Sequence, residues 1–456
     1  MHSKGCGCFL SAVCLFALVA SSCGYLGEKG KEPRGDVNQP VSGVGKFEKQ
    51  DFYCGTQLVQ PFLIEDKRSS SVISGEPWLL NDEGAIRVWW VARDIAAGTN
   101  TVLTAEIALS AGTECRSVDA ALKNIREVRF VPSPSYLIDA PTVVKKDGHY
   151  LMWFSKGTWQ GIGHAVSDDG LDWEILSENV LEPNQTWENG SVGSPSVLWV
   201  DPGLVRAGGV FRFRMWYEGN VFGRRAIGHA ESTDGLEWIK TDASGAREPA
   251  RGPAPGSVRP VLEATQNNWE FWNPGDPWGR VGQPCVIVHQ SPTRPLFYMY
   301  YTGNIYGRIE PDAIAGVNLV LDCFAPCRGR DACMDASIGL ASSEDGLTWD
   351  KAASFSEPNV IANEINPIMN EKFPVSLDPR KPEGSINVFC PNFIVDEAEP
   401  AVLEVVENQL FIMLFHQVDF MNLMEGASLP PEDPAVPSTF TGASGIGFSY
   451  VGNTSF

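Results

Sequence analysis

The chain is predicted to be all-β: a five-bladed β-propeller with ring closure by an N-terminal strand. Three observations predict this. A pattern G-[HL]-A-x-S-x-D-G-L-x-W occurs three times, beginning at Gly163, Gly228 and Gly339. Five prolines, Pro77, Pro141, Pro195, Pro284 and Pro400, each open a short apolar run. After each comes an aromatic or apolar strand, such as Val88-Trp89-Trp90-Val91 or Leu151-Met152-Trp153-Phe154. Repeated units of this kind are one supersecondary element copied along the chain. Small antiparallel sheets repeated radially leave only short, protected edges.

The chain opens with a segment outside the fold. His2 and Lys4 precede an apolar run from Phe9 to Ala20, too short to span a bilayer as a helix and laid out like a secretory signal peptide. The run ends Leu18-Val19-Ala20-Ser21-Ser22-Cys23, which resembles the lipobox of bacterial lipoproteins. That resemblance implies removal of residues 1–22, lipidation of Cys23, and an exported protein anchored to the bacterial cell envelope. Residues 23–46 carry almost no bulky apolar side chains. Such a stretch cannot offset its ordering entropy, and as a flexible tether its ends would lie about 25–30 Å apart. The propeller is expected over 47–456.

Gln57-Leu58-Val59-Gln60-Pro61-Phe62-Leu63-Ile64 precedes the first unit and has no partner of its own. It is expected to supply the outer strand of the last blade, with Pro61 suited to an edge. Within each unit, proline fits the first residue of a strand, where no ladder N–H is needed. The third strand of each unit reads Ile162-Gly163-His164-Ala165, Ile227-Gly228-His229-Ala230 or Ile338-Gly339-Leu340-Ala341. Ile107-Ala108-Leu109-Ser110 and Ile446-Gly447-Phe448-Ser449 are degenerate versions.

The signature itself reads as structure. Asp-Gly is a tight-turn dipeptide, and Ser and Asp side chains can bond nearby backbone N–H groups. Asp169, Asp234 and Asp345 are therefore expected to hold turns. His164 and His229, at equivalent repeat positions, read as packing or local hydrogen bonding.

Removing Lys4 with the leader takes the formal charge from −21 to −22. That acidity argues against nucleic acid or an anionic surface as a partner of the globular part. Seven cysteines remain after Cys6, Cys8, Cys14 and Cys23, so at least one is free or paired between chains. Cys323, Cys327 and Cys333 are spaced C-x3-C-x5-C within an insertion, a poor zinc pattern better suited to bracing a loop. No cofactor is predicted.

The five proline-started strands, the aromatic strands and the S-x-D-G-x-x-W turns together resemble the five-bladed furanosidase propellers, especially glycoside hydrolase family 43. The resemblance covers roughly residues 71–456. It implies hydrolysis of arabinose- or xylose-type glycans by three carboxylates on successive blades, in the motifs D-P, D-P and E-G-P. Taken from the first unit, the pattern breaks at Gly193-Ser194-Pro195, where no acid stands. Taken around the ring from the last unit, it gives Glu399-Pro400, Glu76-Pro77 and Asp139-Ala140-Pro141. The resemblance thus assigns Glu399, Glu76 and Asp139 as the catalytic carboxylates, each swapped between Asp and Glu relative to the motif. Trp78, Ser194, Arg280 and Gln283 are candidate substrate-binding residues, Trp78 equally suited to the core. The alternative is a non-catalytic propeller lipoprotein that binds glycan or a surface protein. The oligomeric state is not fixed by the sequence.

Overall fold

The computed structural model describes residues 48–49, 52–54, 57–60, 63–65, 72–94, 96–110, 119–157, 159–200, 213–220, 224–264, 270, 279–290, 295–307, 333–351, 400–406, 410–419 and 443–452. The expected signal peptide, tether, Cys23, Glu399 and most of the cysteine-bearing insertion lie outside these residues.

The fold is an all-β propeller. The first blade consists of Val72–Asp82, Ala85–Asp94, Thr99–Ser110 and Asp119–Glu127. The second consists of Ile138–Lys146, His149–Lys156, Ile162–Ser167 and Asp172–Leu181, with Arg129–Val131 added in parallel. The third holds Val192–Trp199, Phe213–Gly219, Ala226–Ser232, Trp238–Thr241 and Arg247–Pro249. The fourth holds Val281–Gln290, Pro295–Gly307, Cys333–Ser343 and Asp350–Lys351.

Among the described residues, four blades have four or more consecutive strands each, rather than the five like blades expected. The C-terminal strands, Ala401–Val406, Leu410–Asp419 and Ala443–Gly452, form a sheet without a fourth consecutive strand. Two short N-terminal strands, Glu48–Lys49 and Ile64–Glu65, pair with Ala443–Gly452 instead. The expected closing strand is therefore mostly placed elsewhere. Gln57–Gln60 pairs with Phe52–Cys54 in a hairpin, whereas Leu63, whose N–H donates to the Ile446 carbonyl at 2.9 Å, and Ile64 reach the last sheet. Two residues separate the hairpin strands, so a local pairing with little loop-closure entropy wins over a distant one.

Four seams between neighbouring sheets each hold an apolar layer. Trp89, Val91, Val143, Met152 and Phe154 fill the space between first and second blades. Trp153, Val197, Met215 and Tyr217 do so between second and third. Trp216, Val286, Phe297 and Met299 do so between third and fourth. Leu79, Val88, Ile107, Ala401, Ile412 and Leu414 join the last sheet to the first. Fully burying one such large side chain contributes about 1.5–3 kcal/mol, so these layers dominate stability.

The signature turns are as the sequence implies. In each copy the Ser hydroxyl accepts the Gly N–H, at 2.8, 2.8 and 2.7 Å for Gly170, Gly235 and Gly346. The Asp carboxylate accepts the two N–H groups beyond the Gly, at 2.8–2.9 Å. Burial alone would raise each of these carboxyls. The backbone N–H groups and the Ser hydroxyl outweigh it and hold Asp169, Asp234 and Asp345 below the ordinary value. Gly235 has φ +82°, and a Cβ there would meet Trp153 at 2.8 Å, so no other residue fits without strain.

His164 and His229 are packing residues. His164 stacks on Trp153 with centroids 4.6 Å apart and bonds the Met152 carbonyl through Nδ1 at 2.9 Å. Burial pushes its imidazole down to about 4. His229 accepts Arg214 Nε at its Nε2, 3.1 Å away, and meets Thr241 Oγ1 at 2.7 Å.

Candidate functional site

The prolines that mark the repeats also shape the funnel. In each of the four blades the innermost strand breaks register just before its proline. The residue there takes a left-handed conformation: Glu76 at φ 51°, Ala140 at 43°, Ser194 at 44° and Gln283 at 46°. A residue before proline avoids the right-handed helical region, and the proline itself cannot donate to the ladder. A bulge is where both restrictions are harmless. A left-handed non-glycine residue costs roughly 1–3 kcal/mol, so its recurrence means that the surroundings impose it.

Those surroundings lie on the preceding blade. The Ala140 N–H donates to Glu76 Oε2. The Ser194 N–H donates to Ser155 Oγ at 2.7 Å. The Gln283 N–H donates to Glu218 Oε2 at 3.0 Å. Glu76 and Glu218 thus spend one carboxylate oxygen each on holding the next blade's bulge.

Glu76 and Asp139 come together, joined by an arginine that sequence reasoning missed. Arg93 Nη2 stands 2.5 Å from Glu76 Oε1 and 3.0 Å from Asp139 Oδ1. Its Nε donates a second bond to the same Asp139 oxygen at 3.2 Å. Both acids are buried, Glu76 to 5% and Asp139 to 7% exposure. The oxygens facing Arg93 reach one nitrogen, so they lie closer together than the roughly 6.5–9.5 Å that admits water in an inverting pair. Glu399, the third expected carboxylate, lies outside the described residues.

The residue two before the proline shows what occupies the remaining mouth. In the second blade this is Asp139, which reaches Arg93 of the first. In the third it is Gly193, where an added Cβ would overlap the Trp159 ring and sit 3.0 Å from Ser155 Oγ. In the fourth it is Gly282, where a Cβ would overlap the Glu218 carboxylate. No acid can project from the third or fourth blade here, because the preceding blade already fills the place.

The other predicted binding residues take mixed positions. Trp78 is half-buried and packs beside the apolar layer between first and second blades, with Nε1 donating to the Val143 carbonyl at 2.9 Å. Ser194 and Gln283 are buried and line a central cavity with Glu76, Trp78 and the prolines. Gln283 Oε1 accepts Thr302 Oγ1 at 2.8 Å, whereas Ser194 Oγ is buried with no hydrogen-bond partner among the described residues. Arg280 stands apart from that lining, its backbone N–H on the Glu270 carbonyl at 2.8 Å.

That cavity is about 40 Å³, against roughly 300–1,000 Å³ for pockets that enclose whole small molecules. A larger groove, about 600 Å³, lies between the Lys146–His149 turn and the turn at Asp234, and none of the predicted site residues lines it. Among the described residues no cluster of three or more His, Cys, Asp or Glu could hold a metal ion.

Two further charged residues escaped the sequence reading. Glu218 is fully buried and pairs with Arg225 Nε at 3.3 Å. A signal existed. Arg93 and Glu218 each stand near the end of an otherwise apolar aromatic run, Val88-Trp89-Trp90-Val91-Ala92-Arg93 and Met215-Trp216-Tyr217-Glu218. A charge there has nowhere to go but the funnel or a partner.

No family model matches the chain, and no curated protein does. Among solved structures it resembles a thermostable family-43 glycoside hydrolase, at 15% identity over 83% of this chain and 89% of that one, TM-score 0.43. It resembles an α-L-arabinofuranosidase from Podospora anserina, in complex with cellotriose, at 10% identity over 91% and 99%, TM-score 0.45. It resembles a family 117 glycoside hydrolase from the marine bacterium Zobellia galactanivorans at 11% identity over 91% and 92%, TM-score 0.43. These are likenesses of chain path and carry no activity with them.

Proposed function

We propose that the protein is an exported lipoprotein, held to the bacterial envelope through Cys23, whose funnel recognises carbohydrate without cleaving it. One observation carries the non-hydrolytic reading: Arg93 fills the gap between Glu76 and Asp139. An acid and a base for glycoside hydrolysis must face each other across an open space that takes the sugar. Here a guanidinium takes it, and the carboxylates become anchors for the mouth.

The second reading is hydrolysis by Glu399, Glu76 and Asp139. It is favoured by Pro400, which lines the same cavity as Glu76 and follows Glu399 directly. The two readings separate in one experiment. Wild type and Asp139→Asn are assayed on aryl α-L-arabinofuranosides and β-D-xylosides, and both are applied to a glycan array. Binding of glycans with no turnover by either protein is the expected result. Turnover by wild type that Asp139→Asn loses would replace this reading with the hydrolase.

A further inference from the structure

The three seams between consecutive blades share one set of positions. Trp89, Trp153 and Trp216 each donate Nε1 to the carbonyl of the next blade's turn glycine, Gly170, Gly235 or Gly346. Two residues before each tryptophan stand Arg87, Leu151 and Arg214, on the same face of the strand. Across the seam the next blade's second strand brings Tyr150, Phe213 or Phe297.

In two seams the arginine lies among these rings and against the turn. The Arg87 guanidinium is 4.9 Å from the Trp89 ring and 5.2 Å from Tyr150. Its Nη1 donates to the Asp169 carbonyl at 2.9 Å and its Nε to Thr104 Oγ1 at 3.3 Å. The Arg214 guanidinium is 5.3 Å from Trp216 and 5.0 Å from Phe297, and its Nε donates to His229. A Cβ added at Gly170 or Gly346 would meet Nη1 of Arg87 or Arg214, at 2.7 and 2.9 Å. At Gly235 the nearest atoms belong to the Trp153 and Phe213 rings instead.

The seam with Leu151 is the one that holds the large groove. Leu151, Phe213 and Asp234 line it, and they are the equivalents of Arg87, Tyr150 and Asp169. The lining also carries Asp147, and Asp168 bonds lining His149 at 2.6 Å. Lys146, also in the lining, is paired with Asp147 and lies 4.7 Å over the Trp199 ring. The groove thus combines aromatic side chains with an excess of carboxylate. A guanidinium is planar and weakly hydrated, and it suits both.

We propose that this groove binds an arginine side chain of a partner polypeptide. That side chain supplies at the second-to-third seam the guanidinium that Arg87 and Arg214 supply at the other two. The funnel residues Glu76, Asp139, Ser194 and Gln283 do not line the groove, so the inference is independent of how the funnel is used.

The test is ligand-observed NMR titration of the purified protein with blocked glycine pentapeptides whose central residue is arginine, lysine or citrulline, and with free arginine. Leu151→Arg should fill the groove from within. Thr233→Lys puts a like charge on its exposed rim. Arg206→Ala removes an arginine that lies between Trp199 and Phe213 in sequence. Thermal unfolding of each variant accompanies the titrations. The arginine peptide should bind about threefold more tightly than the lysine peptide and about tenfold more tightly than the citrulline peptide. Leu151→Arg should abolish binding. Thr233→Lys should weaken it about threefold, and this variant decides if Leu151→Arg does not fold. Citrulline bound as tightly as arginine, binding retained by a folded Leu151→Arg, or affinity unchanged in Thr233→Lys would overturn the proposal. Tighter binding of free arginine than of the peptide would also overturn it, by making the ligand a small molecule. An arginine peptide that wild type does not bind overturns it too, and binding that appears only in Arg206→Ala would give the groove to this chain's own arginine.

Discussion

The seam between the third and fourth blades and the seam between the last sheet and the first use the same repeat positions for opposite chemistry. At the first seam, Ser196 Oγ, one residue past its proline, accepts the Val286 N–H at 2.9 Å. Trp216 Nε1 donates to the Gly346 carbonyl of the next turn at 2.9 Å, and Glu218 holds the Gln283 N–H. The seam between second and third blades repeats this with Thr142, Trp153 and Ser155. At the last-to-first seam the residue past the proline is Ala401, and the place of Trp216 is taken by Leu414. Both are buried in the apolar layer with Leu79 and Val88. Neither has a side-chain group that can accept or donate. Directional side-chain bonds set the register of the consecutive blades, while at these repeat positions the last sheet meets the first blade through non-directional burial. The difference teaches that equivalent repeat positions can join neighbouring sheets either by directional bonds or by apolar surface that fits.

The largest effect that would sharpen this contrast is expected from Glu218→Ala. It removes a buried carboxylate from beside Arg225 and from the Gln283 N–H together, which should cost about 3–5 kcal/mol in urea unfolding. A loss below about 1 kcal/mol would mean that the inter-blade acceptor is dispensable.

Acid should act on the latched blades next. His164 has an ordinary value of 6.5 and is pushed down to about 4 by burial. The unfolded chain therefore takes up a proton below about pH 6.5 that the folded chain refuses until about pH 4. Stability present above pH 6.5 is lost as pH falls through that window, by about 2 kcal/mol at pH 5. His164→Phe should flatten part of the pH dependence of the urea midpoint between pH 7 and 5. An unchanged slope would remove His164 from the account.

Ser196→Ala should cost about 1–2 kcal/mol by orphaning the Val286 N–H. The smallest effect runs the other way. Ala401→Ser places a hydroxyl where the latched seams carry Thr142 and Ser196, facing the position of Leu79. It should stabilise by about 0.5–1 kcal/mol and slow amide exchange at Leu79. If exchange there is unaltered, the repeat equivalence of Ala401 with Ser196 is wrong.

Much of this was legible in the chain. The Asp-Gly turns, the prolines and the aromatic strands are local devices. Asp234 meets N–H groups two and three residues away, so one sequence window contains the whole interaction. The same locality made Ser194 and Gln283 recognisable as equivalent positions, each just before its proline. The blade count was less legible, because the last sheet draws its edge from Glu48–Lys49 and Ile64–Glu65. So was the hairpin of Phe52–Cys54 with Gln57–Gln60, which a strand-like pattern cannot distinguish from pairing across the molecule.

By itself, then, the sequence determined an all-β repeat, the turns and the equivalence of the positions before the prolines, because each depends on a pattern a few residues long. Only the tertiary structure decided what faces those positions. Arg93 against Asp139, Trp159 over Gly193 and Glu218 against Gly282 are contacts between neighbouring blades. Their partners are some 34 to 64 positions apart, and a side chain's charge or size does not say which distant group it will meet.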